Sequence, residues 1–458
     1  MLNLKPQKFS GAEVLPLIEG GKGIAVSTGH TCGAWAAAGC VGTFSAVNAD
    51  SYDRNGDIIP QIYHIKSRAD RHRKLVEYAI SGAVNQAKIA REISGGKGRV
   101  HMNVLWEMGG CEEILESVFQ KAKGCIHGVV CGAGMPYNLA EIASKFGVYY
   151  YPIISSARAF SALFRRAFKK FQDLLGGVVY EDPWLAGGHN GLSNAENPEK
   201  PANPYLRIVE LRKTMNSFNL LDIPITIAGG VWWLSEWEDY IDNDEVGPVS
   251  FQFGTRSLLT TECPVAKLWQ PKLMALRRGD VKLTRLSPTG FYSSAINTKM
   301  LEKLLERQKR QVKIVEKSSL SVNVLSSTVY LDESQQENIA SWISAGYSTA
   351  MRTPDDTVVF VAPEQSEAIR KDMSECCGCL SICRFSSWCQ HSGTSGKIPD
   401  PRTFCIQKTL QRAAHGGDLD DNLVFAGHLA YRFASDPLYN DGFIPSTKQL
   451  INRILNGY

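Results

Sequence analysis

The sequence of 458 residues has no stretch approaching the roughly twenty consecutive apolar residues that crossing a bilayer requires, so no membrane span is expected. Its opening, MLNLKPQKFSGAEV, lacks the apolar core of a secretory signal. Excess charge is also scarce: 50 Lys and Arg against 46 Asp and Glu leave a formal net charge of +4. A nucleic-acid partner would need basic residues clustered on one face, so none is expected. No GxGxxG of the dinucleotide type follows a strand, so a nicotinamide is expected only as a transient visitor. Twelve cysteines without an export signal place the chain in the reducing cytoplasm, where grouped thiols read as metal or redox ligands rather than disulfides.

What is present is an ordinary globular composition, 44% hydrophobic and 21% charged. The length exceeds a single core, and one large α/β domain with an appendage is expected. Residues 176–255 organise the rest. Three units stand there in a row, GGVVYEDPWLAGGHNG, IPITIAGGVWW and VSFQFGTRSLL. Each starts as a short apolar run of strand length and breaks into glycines or a Gly-Thr pair, as buried parallel strands do where they meet a ligand-binding loop. Glycine has no Cβ, so backbone N–H groups there can approach an anionic group such as a phosphate.

Strand and helix patterns alternate through the first 260 residues. A Gly-rich turn, GGKG, follows an apolar run near Leu15, and an Ala-rich helix over 32–38 precedes a strand near Val41, a βαβ beginning. That turn alone is equally compatible with an empty turn. A polar stretch covers 48–70, and apolar residues at helical spacing cover 71–93. Strands follow near Val100, Ile126, Val148, Val178, Ile225 and Val249, which makes eight in all. Eight alternations predict a (β/α)8 TIM barrel. A doubly wound sheet would carry its main phosphate loop after the first strand rather than after the last three. Asn103 closes one strand, where it suits either a heterocycle with mixed polar edges or a turn cap.

The ordered motifs resemble the nitronate monooxygenase family of flavin-dependent barrel enzymes over about 15–297. AGGHNG is similar to the family's AGGHxG, IPITIAGGVW to its IPVIAAGGI, and FQFGTRSLLTTE to its QxGT segment; LTRLSPTGFYSSAIN resembles the segment after the last strand. The resemblance implies FMN contacts from Asn103, Asp182, Gly187, Gly229, Gly230, Gln252, Phe253, Gly254 and Thr255. Asp182 stands where many members carry Gln, and Lys22 where many carry Met. It also implies His189 as the catalytic residue, taking a proton from the substrate carbon or stabilising its anion, work for which imidazole titrates in a useful range. By itself a His in a Gly-rich turn is more often a surface or structural residue; the flanking Gly187, Gly188 and Gly191 shift that balance by exposing the ring at the strand mouth. Glu181 and Asp182 beside it are expected to raise its pKa.

Beyond residue 297 the alternation stops. The barrel is assigned to 1–297, and 298–458 to a mainly helical, Cys-rich extension packed on it, with helices expected over 298–315, 406–414, 423–434 and 448–455 and an irregular connection over 318–330. Six cysteines fall between Cys376 and Cys405. Cys376, Cys379 and Cys383, with Cys389 or Cys405 as fourth ligand, have spacing similar to that of the [4Fe-4S] site of flavin enzymes of the 2,4-dienoyl-CoA reductase type. Zinc and a set of free buried thiols are the rival readings. The expected activity is FMN-dependent oxidation of a small activated carbon acid, alkyl nitronate-like, with oxygen as acceptor. Reduction of an enoyl thioester by NAD(P)H through the flavin is the alternative, and a non-catalytic barrel with a metal-binding tail is a third.

Overall fold

The computed structural model describes residues 4–47, 53, 65–325 and 327–457. The polar stretch 48–70 lies mostly outside the described residues. Eight parallel strands close a barrel: β1 (Leu17–Glu19), β2 (Val41–Ser45), β3 (Arg99–Leu105), β4 (Gly128–Gly132), β5 (Tyr149–Ile154), β6 (Val178–Glu181), β7 (Ile225–Ala228) and β8 (Val249–Phe253). Phe251 opposite Leu17 and Phe253 opposite Glu19 join the last strand to the first. These are the eight runs predicted from the alternation. Six crossovers carry α-helices, α1 (Gly29–Ala37), α2 (Arg68–Ser94), α3 (Cys111–Lys121), α4 (Leu139–Lys145), α5 (Ala157–Arg166) and α6 (Pro204–Asn216); the piece after β7 is a 3-10 turn, Leu234–Tyr240.

Period-two alternation sends one set of strand side chains into the lumen and the other out to the helices. Ile18, Val41, Val130, Tyr151, Val179 and Ala228 fill the lumen. An antiparallel hairpin, Gln7–Phe9 with Ala12–Val14, plugs its amino end: buried Phe9 stacks on Tyr151, and Ser10 Oγ bonds both His101 Nε2 (2.9 Å) and Tyr151 OH (2.8 Å). The carboxyl ends are left as the open mouth. After β8 come α7 (Ala266–Met274) and the antiparallel pair β9 (Val281–Thr284) and β10 (Ser293–Ile296), to which the two-residue strand Gly188–His189 is added.

The extension contains helices α8 (Lys299–Lys309), α9 (Gln336–Ser344), α10 (Pro363–Ser374), α11 (Ile406–Ala414) and α12 (Thr447–Asn456). Between them lies a five-stranded antiparallel sheet of β11 (Gln311–Val315), β12 (Ser321–Val324), β13 (Ser327–Leu331), β14 (Thr349–Arg352) and β15 (Thr357–Val361), in the order β12, β13, β11, β15, β14. Its small core joins Val312, Leu331, Val358 and Phe360 to Ile339 of α9. The helix expected over 298–315 therefore stops at Lys309, because Val312 and Ile314 alternate with polar residues as a half-buried strand requires. The span 423–434, expected as a helix, is a loop ending in a 3-10 turn, Ala430–Ala434. Helix α12 returns to the barrel: Leu450, Ile451 and Ile454 join the core between strands and helices. Among the described residues no helix is long and apolar enough to cross a membrane.

Candidate active site

A pocket opens at the carboxyl mouth. Its floor is made by strand ends: Gly20 to Gly23 after β1, Asn103 in β3, Glu181 closing β6, Gly229 and Gly230 after β7, and Gln252, Gly254 and Thr255 at the end of β8. Gly229 and Gly230 have φ of +86° and +78°, a backbone region that side chains rarely adopt. A Cβ on Gly229 would stand 3.0 Å from Ala186, and one on Gly230 2.7 Å from Leu185 Cδ1. A Cβ on Gly254 would meet nothing within 4 Å, so open space lies above it. The N–H groups of Gly230, Gly254 and Thr255 donate to no backbone acceptor among the described residues. Free amides converging on open space are the donor set a phosphate needs. Deeper in the mouth, Asn103, Glu181 and Gln252 present side-chain polar atoms. Burial, and after it the charge of Asp182, pushes the Glu181 carboxyl up to about 8, so it is a neutral donor at pH 7. That mixture of donors and acceptors fits the heterocycle of a flavin, and the amides fit its phosphate.

His189 reaches the same pocket. Its Nε2 lies 2.6 Å from Ser287 Oγ, which is 2.9 Å from Thr289 Oγ1, and its ring meets Phe425 edge-on with centroids 5.4 Å apart. Burial lowers its pKa to about 4. The rise expected from Glu181 and Asp182 does not occur, because desolvation of the imidazolium is the only cause resolved and it acts the other way. The ring is therefore neutral at pH 7. Lys22 also lines the pocket, but its ammonium is engaged by Gly20 O (2.8 Å), Ser257 Oγ (2.9 Å) and the Glu19 carboxylate (3.0 Å).

Seven of the nine expected cofactor contacts line the pocket: Asn103, Gly187, Gly229, Gly230, Gln252, Gly254 and Thr255. Two do not. Asp182 is buried and its Oδ1 accepts from the N–H groups of Trp184 and Leu185, both at 2.9 Å, so it builds the turn beneath AGGH. Phe253 points outward, fully buried and stacked on Trp35 at 6.1 Å. Period two explains that outcome, since Gln252 faces in and its neighbour must face out. Glu181 is an added floor residue; an acid at a strand's carboxyl end, like Asn103, was the available signal.

The roof was not foreseen. Leu380, Ile406, Gln407, Leu410, Phe425 and Leu429, all from the extension, cover the mouth. The loop carrying Phe425 lies flat on the AGGH turn: a Cβ on Gly187 would stand 2.5 Å from Ala426 C and 2.6 Å from Gly427 N. His428 N donates to Leu185 O (3.1 Å) and Gly427 N to Thr255 Oγ1 (2.8 Å).

The metal expectation is corrected. Among the described residues no group of three or more His, Cys, Asp or Glu is placed to hold a metal ion. Cys376, Cys379 and Cys383 are buried with Leu75, Phe385 and Trp388 in an apolar cluster. Cys376 Sγ accepts from Ser386 Oγ (3.0 Å) and Gly378 N (3.4 Å), and a hydrogen bond with the Cys379 thiol lowers the pKa of Cys377. Cys389, half-buried, sits on the second strand of a two-stranded hairpin, Ile382–Cys383 with Trp388–Cys389. The segment packs against the barrel, tied to it by Gly109 N to Cys379 O (3.0 Å) and Arg71 Nε to Cys376 O (2.9 Å).

A closed barrel with unengaged amides around its last two strand ends, a ring of mixed polar groups below and a neutral imidazole beside them defines a cofactor-dependent enzyme. The family model for nitronate monooxygenase matches residues 11–457, and the chain belongs to that family. It is accordingly an FMN-dependent oxidoreductase, and the non-catalytic reading falls. Among solved structures, FabK from Thermotoga maritima is 15% identical, with 96% of this chain and 91% of that one covered and a TM-score of 0.51. The enoyl reductase domain of MlnA, from the macrolactin cluster of Bacillus amyloliquefaciens, is 10% identical, with 96% and 93% covered and a TM-score of 0.51. At these identities the likeness is one of fold. No curated protein matches the sequence.

Proposed function

We propose that FMN is held at the barrel mouth and that the enzyme oxidises a small activated carbon acid, a nitroalkane or its nitronate, with oxygen as acceptor. The observation that supports this most is the meeting of His189 with seven of the nine expected cofactor contacts in one pocket. Bound there, FMN supplies the two-electron redox chemistry. The amides of Gly230, Gly254 and Thr255 would hold its phosphate, and Asn103, Glu181 and Gln252 would meet the polar edge of its ring. His189, neutral because buried, accepts the proton of the activated carbon at a ring nitrogen; Ser287 orients the imidazole and Phe425 walls off water on that side. In this reading 1–297 carries the cofactor, 298–458 roofs it, and the twelve free cysteines accord with a reducing cytoplasm.

The test is oxygen uptake by FMN-loaded protein with propyl-2-nitronate and 2-nitropropane. His189→Asn is expected to lower kcat/KM with the nitroalkane by roughly 10²- to 10⁴-fold, with the visible flavin bands retained. Unchanged turnover would remove His189 from the mechanism, and no uptake with either compound would remove the substrate class.

A second reading is supported by the charge of the pocket. Lys22 is neutralised by Glu19 and His189 is uncharged, so a nitronate anion would be buried without a counter-cation, at a cost that a neutral acyl compound avoids. In that reading NAD(P)H, binding transiently, reduces the enzyme, which then reduces an enoyl thioester. Anaerobic NAD(P)H oxidation that depends on an enoyl thioester, without turnover of nitronates, would decide for it.

A further inference from the structure

Gln407 is the one residue of the roof whose chemistry is unspent. It is fully buried, lines the pocket from the first turn of α11, and neither its Nε2 nor its Oε1 has a hydrogen-bond partner among the described residues. A buried carboxamide normally has both ends satisfied, because stripping water from either without replacement is unfavourable. Its pocket-lining neighbours in the extension, Ile406 and Leu410 on the same helix with Leu380 and Phe425, are apolar and offer it no partner. A buried, unpaired amide among apolar groups in the wall of a cavity is placed to be completed by what enters the cavity.

We propose that Gln407 is a substrate-specificity residue, and that the substrate carries an amide group on an otherwise apolar acyl chain. A primary amide answers both unmet ends with one planar neutral group, side by side as the carboxamide presents them: its C=O accepts from Nε2–H while its N–H donates to Oε1. An ester or ketone answers only the donor, and a nitronate, which has acceptors alone, leaves Oε1 unpaired. The flavin ring also has an edge of alternating donors and acceptors, but in the proposed function Asn103, Glu181 and Gln252 in the floor would meet it, whereas Gln407 shares the roof with Phe425, the residue against His189. The proposal rests on this pocket being the reaction site. It concerns the substrate that the second reading leaves open and narrows it to compounds bearing an amide.

The experiment compares hexanamide, N,N-dimethylhexanamide and methyl hexanoate, which share a chain length and differ in the N–H, by titration calorimetry on FMN-loaded protein. The wild type is expected to bind hexanamide roughly tenfold more tightly than either of the others, the worth of one added hydrogen bond plus relief of a buried unpaired acceptor. Gln407→Met, unbranched and of similar length, is expected to lose that preference while keeping its flavin bands and folding at least as stably. Equal binding of the three probes by the wild type, a result that needs no variant, would overturn the proposal. So would a preference that survives Gln407→Met, or a variant that releases FMN, which would put Gln407 on the cofactor. A protein that never takes up FMN would instead refute the functional reading; the heats of the three probes, measured on that same protein, would still decide the role of Gln407.

Discussion

The floor and the roof of the pocket are built by different rules. The floor is strand ends: its N–H donors at Gly230, Gly254 and Thr255, and the side chains of Asn103, Glu181 and Gln252, are set on strands that the whole barrel holds in register. The roof is side chain: Leu380, Gln407 and Phe425 come from three separate segments of the extension and meet only because those segments are fastened to the barrel. A backbone cradle accepts any group with the right charge and size, so the floor suits a cofactor common to a family. A side-chain roof changes with single substitutions, so it is the part that can distinguish one substrate from another. The nitronate monooxygenase assignment therefore speaks for the floor, and the chemistry of the substrate has to be read from the roof.

The fastening can be broken at two places, and the effects differ in size. Asp436 of the extension accepts from Arg256 Nη2 (3.0 Å) and Trp232 Nε1 (3.1 Å), with both ends of the ion pair buried. Asp436→Ala leaves a buried guanidinium without its anion and is expected to cost about 3–5 kcal/mol of stability, read by urea unfolding. Asp436→Asn, which keeps the shape and one acceptor, is expected to cost less. Gly187→Ala drives a methyl into the backbone of Ala426 and Gly427 and is expected to cost about 3 kcal/mol, the upper part of the range for overpacking. Its diagnostic result is a loss of hexanamide binding larger than the loss of FMN affinity. Equal losses would mean that floor and roof are one unit and would break the comparison.

The same division governs what the sequence showed. All eight barrel strands were legible because each is an apolar run that ends in glycine or a polar residue, a local pattern repeated at regular spacing. Asn103, the glycines, Gln252 and His189 were legible for the same reason: a strand's carboxyl end marks a residue as facing the mouth before any contact is known. Phe253 was misread by one position of the two-residue period, and Asp182 because a buried carboxylate that caps a turn looks in sequence like one that meets a ligand. The roof had no such marker. Gln407 is one polar residue in an amphipathic helix, and Phe425 lies in a segment whose apolar spacing suggested a helix although Gly427 and the contact with AGGH make it a loop. In the sheet of the extension, Ser321–Val324 and Ser327–Leu331 have serines on their exposed face and so resembled a connection. The cysteine spacing fitted a cluster because both a ligand loop and a tight packing loop bring thiols together; only the geometry separates them.

A smaller effect tests the floor alone. In the folded chain the Glu181 carboxyl is pushed up to about 8, first by burial and then by Asp182, against an ordinary value of 4.5. Between those two values the folded chain keeps a proton that the unfolded chain has released, so stability falls as pH rises through the window. Below 4.5 both states are protonated and the group contributes nothing. Glu181→Gln, neutral at every pH, is therefore expected to match the wild type near pH 4.5 and to exceed it by on the order of 2 kcal/mol near pH 8.5, a value discounted for the partial exposure of the side chain. If, as proposed, Glu181 meets the flavin ring, the variant would keep a donor there, so its flavin should stay bound at alkaline pH where the wild type, its carboxyl ionised, begins to release it. Melting temperature and flavin absorbance followed together across that range separate the two effects. If the wild-type slope persists in Glu181→Gln, the proton resides elsewhere, and Glu181 is not the titrating donor of the floor.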